Sequence, residues 1–166
     1  MNNYIKIGKI VNTHGIKGEL RILSDFDKKE IVFNIGFNIY IGPNYIKETI
    51  SSYRHHKNFD MITLENYSNI NEVLGYKGLD VYINKDDLKL SENEYIMADL
   101  IGLDIVDNEE ILGKVVDYMY NNPTTLLEVL GKKKFYIPFI DEYIIKVDLN
   151  NKKIFTKNVK DLIIWK

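Results

Sequence analysis

Tyr4-Ile5-Lys6-Ile7-Gly8-Lys9-Ile10-Val11-Asn12-Thr13-His14-Gly15-Ile16-Lys17-Gly18-Glu19-Leu20-Arg21-Ile22-Leu23-Ser24 reads as strand, turn and strand. β-Branched residues recur in both arms, Tyr4 to Asn12 and Lys17 to Ser24, while Gly15 and Gly18 supply the backbone angles of the turn between them. The same rhythm continues outward. Phe37 to Ile41, Tyr45 to His55, Phe59 to Glu65 and Leu79 to Asn84 are further strands, enough for a small six-stranded barrel. Gly42-Pro43-Asn44 separates two of them, with proline presetting one backbone angle and glycine or asparagine accepting a positive one. One short helix interrupts the strands: Asn69 caps it, Glu72 follows three residues later, and Ile70, Val73 and Leu74 are expected on one face, closing the barrel.

From Asn84 to Glu94 the chain is polar and charged, with no periodic apolar face, and this places a boundary between residues 1–87 and 95–166. The second half restarts the strand pattern at Gly102 to Asp107, Leu112 to Tyr120, Thr125 to Leu130, Lys134 to Phe139, Ile144 to Leu149 and Lys153 to Thr156. Asn108 to Glu110, Gly131 to Lys133 and Asn150-Asn151 are its turns, and Pro138 marks an edge or a bulge because it cannot donate to a ladder. The expected fold is all-β: two small β-barrels in tandem, with one short helix in the first.

Apolar residues make up 45% of the 166 and charged residues 28%, the balance of a packed globular chain. The longest apolar runs, such as Ile163-Ile164-Trp165, are far short of the roughly 20 residues that cross a bilayer, and Met1 to Lys6 has no signal-peptide pattern. A cytoplasmic protein with no membrane attachment is expected. The absence of cysteine excludes disulfides, thiolate nucleophiles and cysteine-ligated zinc or iron–sulfur centres. No phosphate loop of the Gly-Lys-Ser/Thr type is present, so no nucleotide cofactor is expected, nor any other cofactor. His55-His56 would point to opposite faces of a strand, so they do not suggest a shared metal. With a net charge of −2 the chain is not a general polyanion binder, although Lys6, Lys9, Lys17 and Arg21 stand against Glu19 alone in residues 1–24.

Gly8 to Ile22, with its His14-Gly15 turn, resembles the N-terminal signature of the RimM ribosome maturation family, and Leu79-Asp80-Val81-Tyr82-Ile83 resembles that domain's closing strand. Asp99-Leu100-Ile101-Gly102-Leu103-Asp104-Ile105-Val106, Leu112 to Asp117, Ile137-Pro138-Phe139 and Val147-Asp148 follow in the order of the family's PRC-barrel domain. The resemblance implies a non-catalytic factor, working as a monomer. It would bind the small ribosomal subunit precursor through the head protein numbered nineteen and assist head assembly and rRNA processing. Aromatics beside an edge-strand proline can anchor an interface, so the partner interface is expected in the second barrel, with Tyr95, Asp99, Leu100, Pro138 and Phe139 as the candidates. The family often has two adjacent aromatics and a tryptophan before Asp-Leu-Ile-Gly, whereas Tyr95 is followed here by Ile96, Met97 and Ala98. The C-terminal stretch Lys157 to Leu162 also departs from the family's proline-glycine ending.

His14, Lys17 and Arg21 are the candidates for rRNA contact, and His14 reads equally as a turn cap. Gly15, Gly18 and Gly102 read as structural turn residues, and Asp99 as a turn organiser or a partner contact. Gly15-Ile16-Lys17-Gly18 matches the GXXG string of KH domains, but that loop joins helices and this one joins strands. Other functional classes stay in view: an rRNA chaperone acting mainly through the first barrel, a reductase or isomerase built on the barrel, and a structural adaptor. Three histidines and scattered acids, without a nucleophile signature, give the enzyme reading little support.

Overall fold

The computed structural model describes residues 3–121 and 123–163, so Met1-Asn2 and the Ile164-Trp165 end of the apolar run lie outside the described residues. The chain divides into two compact units, Met1–Glu94 and Tyr95–Lys166.

The first unit contains β1 (Tyr4–His14), β2 (Glu19–Leu23), the single helical turn α1 (Lys29–Val32), β3 (Asn38–Ile41), β4 (Ile46–His56), β5 (Phe59–Leu64) and β6 (Asp80–Asn84). Its strands form a closed ring in the order β1-β2-β5-β4-β3-β6, sealed by Tyr4 to Lys9 pairing with Asn84 to Asp80. Alternation puts Leu20 and Ile22, Ile39 and Ile41, and Val81 and Ile83 inside, all without solvent exposure. The Gly42-Pro43-Asn44 loop joins β3 to β4, with Gly42 at φ 77° and the Tyr45 amide donating to the Gly42 carbonyl at 3.1 Å.

The expected helix near Asn69 forms as two 3-10 turns, Ile70–Glu72 and Leu74–Tyr76, and the Asn69–Glu72 capping box is present. With three residues per turn, Ile70 and Val73 line up and Val73 is buried. Leu74, expected on the same face, is rotated away and exposed. Buried Glu48 of β4 accepts from the Tyr67 and Tyr76 hydroxyls, tying this segment to the wall. The helical turn α1 went unread in the sequence. It brings buried Val32 and Phe33 to the barrel, and Phe33 stacks on Tyr53 with ring centroids 5.6 Å apart.

The segment after Asn84 is less independent than its polarity suggested: Lys85–Leu88 forms a 3-10 turn with Leu88 buried, and the Lys85 amide bonds the Asn3 carbonyl. Only Ser91 to Glu94 is exposed throughout.

At the β4–β5 end of the barrel, Tyr53 donates to Asp60 Oδ1 at 2.7 Å. Burial, followed by this bond and the Asp60 charge, pushes the Tyr53 hydroxyl up to about 12 from 10.0. A raised folded value means that this contribution to stability is complete below about pH 10 and is lost as pH rises through about 12. Wild type is therefore expected to lose more thermal stability across that window than Tyr53→Phe; equal losses would contradict it.

The second unit contains β7 (Asp104–Asp107), β8 (Glu110–Asn121), β9 (Thr124–Leu130), β10 (Lys134–Pro138), β11 (Ile144–Asp148) and β12 (Lys153–Thr156), in the order β10-β9-β8-β7-β12-β11. The ring is open between β10 and β11, and β12 runs parallel to β7 with Ile154 opposite Ile105. Leu103, Ile105, Val115, Val129, Phe135 and Ile137 are among the residues of its core. The β7–β8 turn has positive φ at both Asn108 (49°) and Glu109 (71°), whose twist suits a two-residue hairpin. Pro138 lies on edge strand β10 opposite Leu126, and the next residue's amide, Phe139, reaches the Thr125 carbonyl. Hydrogen bonding alternates along an antiparallel pair, so the missing Pro138 donor faces the unpaired side.

Candidate functional site

Two surfaces hold the residues singled out above, one in each unit. In the second unit a 3-10 turn, Met97–Leu100, follows Tyr95 and is closed by Asp99, whose Oδ2 accepts from the Ile96 amide at 3.0 Å. The turn-organising reading of Asp99 therefore holds. Tyr95 and Phe139 meet edge to face, with centroids 6.4 Å apart, and both are half-buried against the core beside Pro138. Leu100, however, is 0% exposed. It packs in the core of the second unit, so Leu100 is no surface for a partner. Ile96, where the family often has an aromatic, is also fully buried, so that position presents no surface to a partner. Gly102 takes φ 95° and its carbonyl accepts from the Lys114 ammonium at 3.1 Å.

In the first unit Gly15 and Gly18 take φ 76° and 85°, and the Gly18 amide closes the turn on the Gly15 carbonyl. A side chain on Gly18 would also meet the Asn69 carbonyl oxygen at 2.9 Å, so this position serves both the turn and a close approach. Ile16 and Lys17 project from the tip, exposed. His14 pairs with Glu19 across the hairpin, and its Nδ1 lies 3.2 Å from Arg21 Nη2. Arginine only donates, so His14 accepts through Nδ1. Arg21 also lies over the Phe59 ring, 5.1 Å from its centroid.

The sequence reading missed what stands beside Arg21. Arg54 of β4 donates from Nε and Nη2 to the two carboxylate oxygens of Glu19, both at 2.8 Å. That bond, ahead of the charges of Arg54, His14 and His56, holds the Glu19 carboxyl below its ordinary value. His56 lies on the same side, where desolvation and then the neighbouring Arg54, Lys57, Arg21 and His14 lower its value. His55 turns instead to Asp60, 3.5 Å away, so the adjacent histidines diverge as expected. Among the described residues no His, Asp and Glu group has metal-binding geometry, and no helix is long and apolar enough to cross a membrane.

The RimM N-terminal domain model matches residues 5–88 and the RimM PRC barrel domain model matches residues 97–162. A ribosome maturation factor RimM from Staphylococcus aureus is 34% identical over 164 residues, covering 96% of this chain and 98% of that protein. The chain belongs to the RimM family. Another ribosome maturation factor RimM, from Shouchella clausii, is 37% identical across 93% of this chain and 94% of its own length. The crystal structure of a 16S ribosomal RNA processing protein RimM from Pseudomonas aeruginosa superposes with a TM-score of 0.48 at 18% identity, covering 96% of this chain and 99% of that one. Membership of the RimM family rests on the two domain models, which match both halves of the chain in order, and on the relatives in sequence.

Proposed function

We propose that this protein is a non-catalytic ribosome maturation factor of the cytoplasm, acting as a monomer on the immature small ribosomal subunit. Its second unit binds the head protein numbered nineteen, its first unit meets rRNA near His14, Lys17 and Arg21, and the outcome is assembly of the head and processing of its rRNA. The observation that carries this reading is the 34% identity, over 96% of the chain, to a protein named ribosome maturation factor. For the partner surface, support comes from the Tyr95–Phe139 pair beside Pro138 of β10, which among the described residues pairs with a strand on one side only. Half-buried aromatics next to an edge strand offer apolar area to a partner pocket with little side-chain entropy to lose.

Residues 88–166 hold 11 basic and 13 acidic side chains against a head protein that, like most ribosomal proteins, is expected to be basic, so long-range attraction is modest and affinity depends on the buried centre. In sedimentation of a lysate, the protein is expected to travel with small-subunit precursors. Truncation of such an anchor costs about 2 kcal/mol, roughly 30-fold in affinity, so Phe139→Ala should bind the purified head protein that much more weakly while remaining folded by circular dichroism. Unchanged affinity would remove Phe139 from the interface, and a protein that stays wholly among free proteins at low salt would overturn the function.

A further inference from the structure

The outer wall of the first barrel gathers side chains that lie far apart in sequence. Arg21 sits between Leu20 and Ile22, both fully buried, so alternation turns it outward. Arg21 pairs with Met61 and Met61 with Arg54, which places Arg21, Met61 and Arg54 in one lateral row across β2, β5 and β4. Two strand spacings, roughly 10 Å, separate the two arginines along it. In the next row Phe59 pairs with His56, and Leu23, half exposed, ends β2 beside it. Lys17 stands exposed at one end of this wall and Lys57 at the other.

The chain has 20 lysines and only these two arginines. A solvated point charge is therefore supplied by lysine almost everywhere, and arginine is kept where a flat, forked cation is needed. The pair with Glu19 engages only the Nε–Nη2 edge of Arg54, and a half-exposed ion pair contributes about 0–1 kcal/mol, so stability is a modest reason for the fork. Both forks are also fixed in advance. Arg21 rests on Phe59 with Nη2 on His14 and a buried Nε that has no partner among the described residues, and Arg54 is held by Nε and Nη2 on Glu19. Among the described residues neither Nη1 has a partner, so each guanidinium turns an uncommitted edge to solvent.

We propose that Arg21 and Arg54 form a paired-guanidinium clamp for the phosphodiester backbone of one RNA strand. Leu23 and the Phe59 ring are its apolar floor for a base or ribose, and Lys17 and Lys57 its long-range attraction. The proposal rests on the reading that the first unit meets rRNA and adds which atoms do so and how. Arginine forks suit phosphate oxygens bidentately, and an aromatic beside them suits an unstacked base, a combination that favours single-stranded RNA over an acidic protein surface.

The test is equilibrium anisotropy of the full-length protein with a fluorescein-labelled single-stranded RNA of mixed sequence, over a range of salt. Arg21→Lys and Arg54→Lys keep the charge and lose the fork, so each is expected to bind about tenfold more weakly with an unchanged salt slope. Lys17→Gln and Lys57→Gln should weaken binding less and each flatten the slope by about 0.7, one phosphate's worth for a single strand. Arg54 is half exposed and Arg54→Lys is expected to melt with wild type, so it decides the matter if Arg21→Lys unfolds. Arginine-to-lysine variants that bind like wild type would overturn the clamp and leave rRNA contact standing. A wild type that binds no RNA while it still sediments with small-subunit precursors would overturn both. Arginine-dependent binding to anionic vesicles or to polyglutamate, without binding to RNA, would assign the row to another partner.

Discussion

Gly131→Ala is expected to destabilise the second unit by about 3 kcal/mol or more, near the upper limit of what one added methyl does in a packed protein. A Cβ at Gly131 would lie 2.0 Å from the Leu112 carbonyl oxygen and 3.4 Å from the Gly113 Cα. These are backbone atoms of β8, which cannot rotate aside as a side chain would. The approach is reciprocal, since a Cβ on Gly113 would meet the Leu130 carbonyl oxygen at 2.8 Å. The start of the β9–β10 turn therefore crosses β8 with backbone against backbone, and either methyl forces the strands apart. Gly15→Ala is the control. It has a positive φ of 76°, which Gly131 lacks, and nothing within 4 Å of a Cβ, so it should cost about 1–2 kcal/mol through the backbone alone. Scanning calorimetry of the full chain compares the two, and a Gly131→Ala protein that melts no lower than Gly15→Ala would refute the crossing.

The other large effect is expected at the β4–β5 end of the first barrel. Asp60 is 1% exposed, and its Oδ2 has no hydrogen bond of good geometry among the described residues. Its compensation is the Lys29 ammonium, 2.9 Å away, delivered by α1. Lys29→Met would leave a buried carboxylate to the Tyr53 hydroxyl and to His55, 3.5 Å off. Breaking a buried pair from one side costs about 3–5 kcal/mol, and Lys29 is about one-third exposed, so a loss near 3 kcal/mol is expected. For a unit of this size that lowers the melting temperature by roughly 10–20 °C. Adding Asp60→Asn removes the stranded charge and should recover much of the loss. A Lys29→Met protein within about 0.5 kcal/mol of wild type, the scatter of ordinary surface changes, would mean that water reaches the carboxylate after all.

What local chemistry sets was legible in the sequence. Runs of β-branched and aromatic residues between turn signals marked the twelve strands to within a few residues, because strand preference is a property of a segment's own side chains. Gly15, Gly18 and Gly42 marked turns because positive φ is a local demand, and Asn69 with Glu72 marked a helical start because the capping box closes within four residues. The first unit runs past Asn84 to Glu94, and the Lys85–Asn3 bond and the burial of Leu88 that tie its end down are contacts between segments far apart in sequence. Lateral neighbours are another matter. Periodicity states which way a residue points and not which strand lies beside it. Thus the β1–β6 seam, the parallel β7–β12 pair and the open edge between β10 and β11 came only from the tertiary structure. The same ignorance hid the sites: Lys29 meets Asp60 across 31 positions and Arg54 meets Glu19 across 35. Leu100, legible as part of a surface motif, is drawn into the core by a 3-10 turn whose direction depends on what it packs against. A strand's own residues determine its faces, but the row to which a face belongs is decided when the sheet closes.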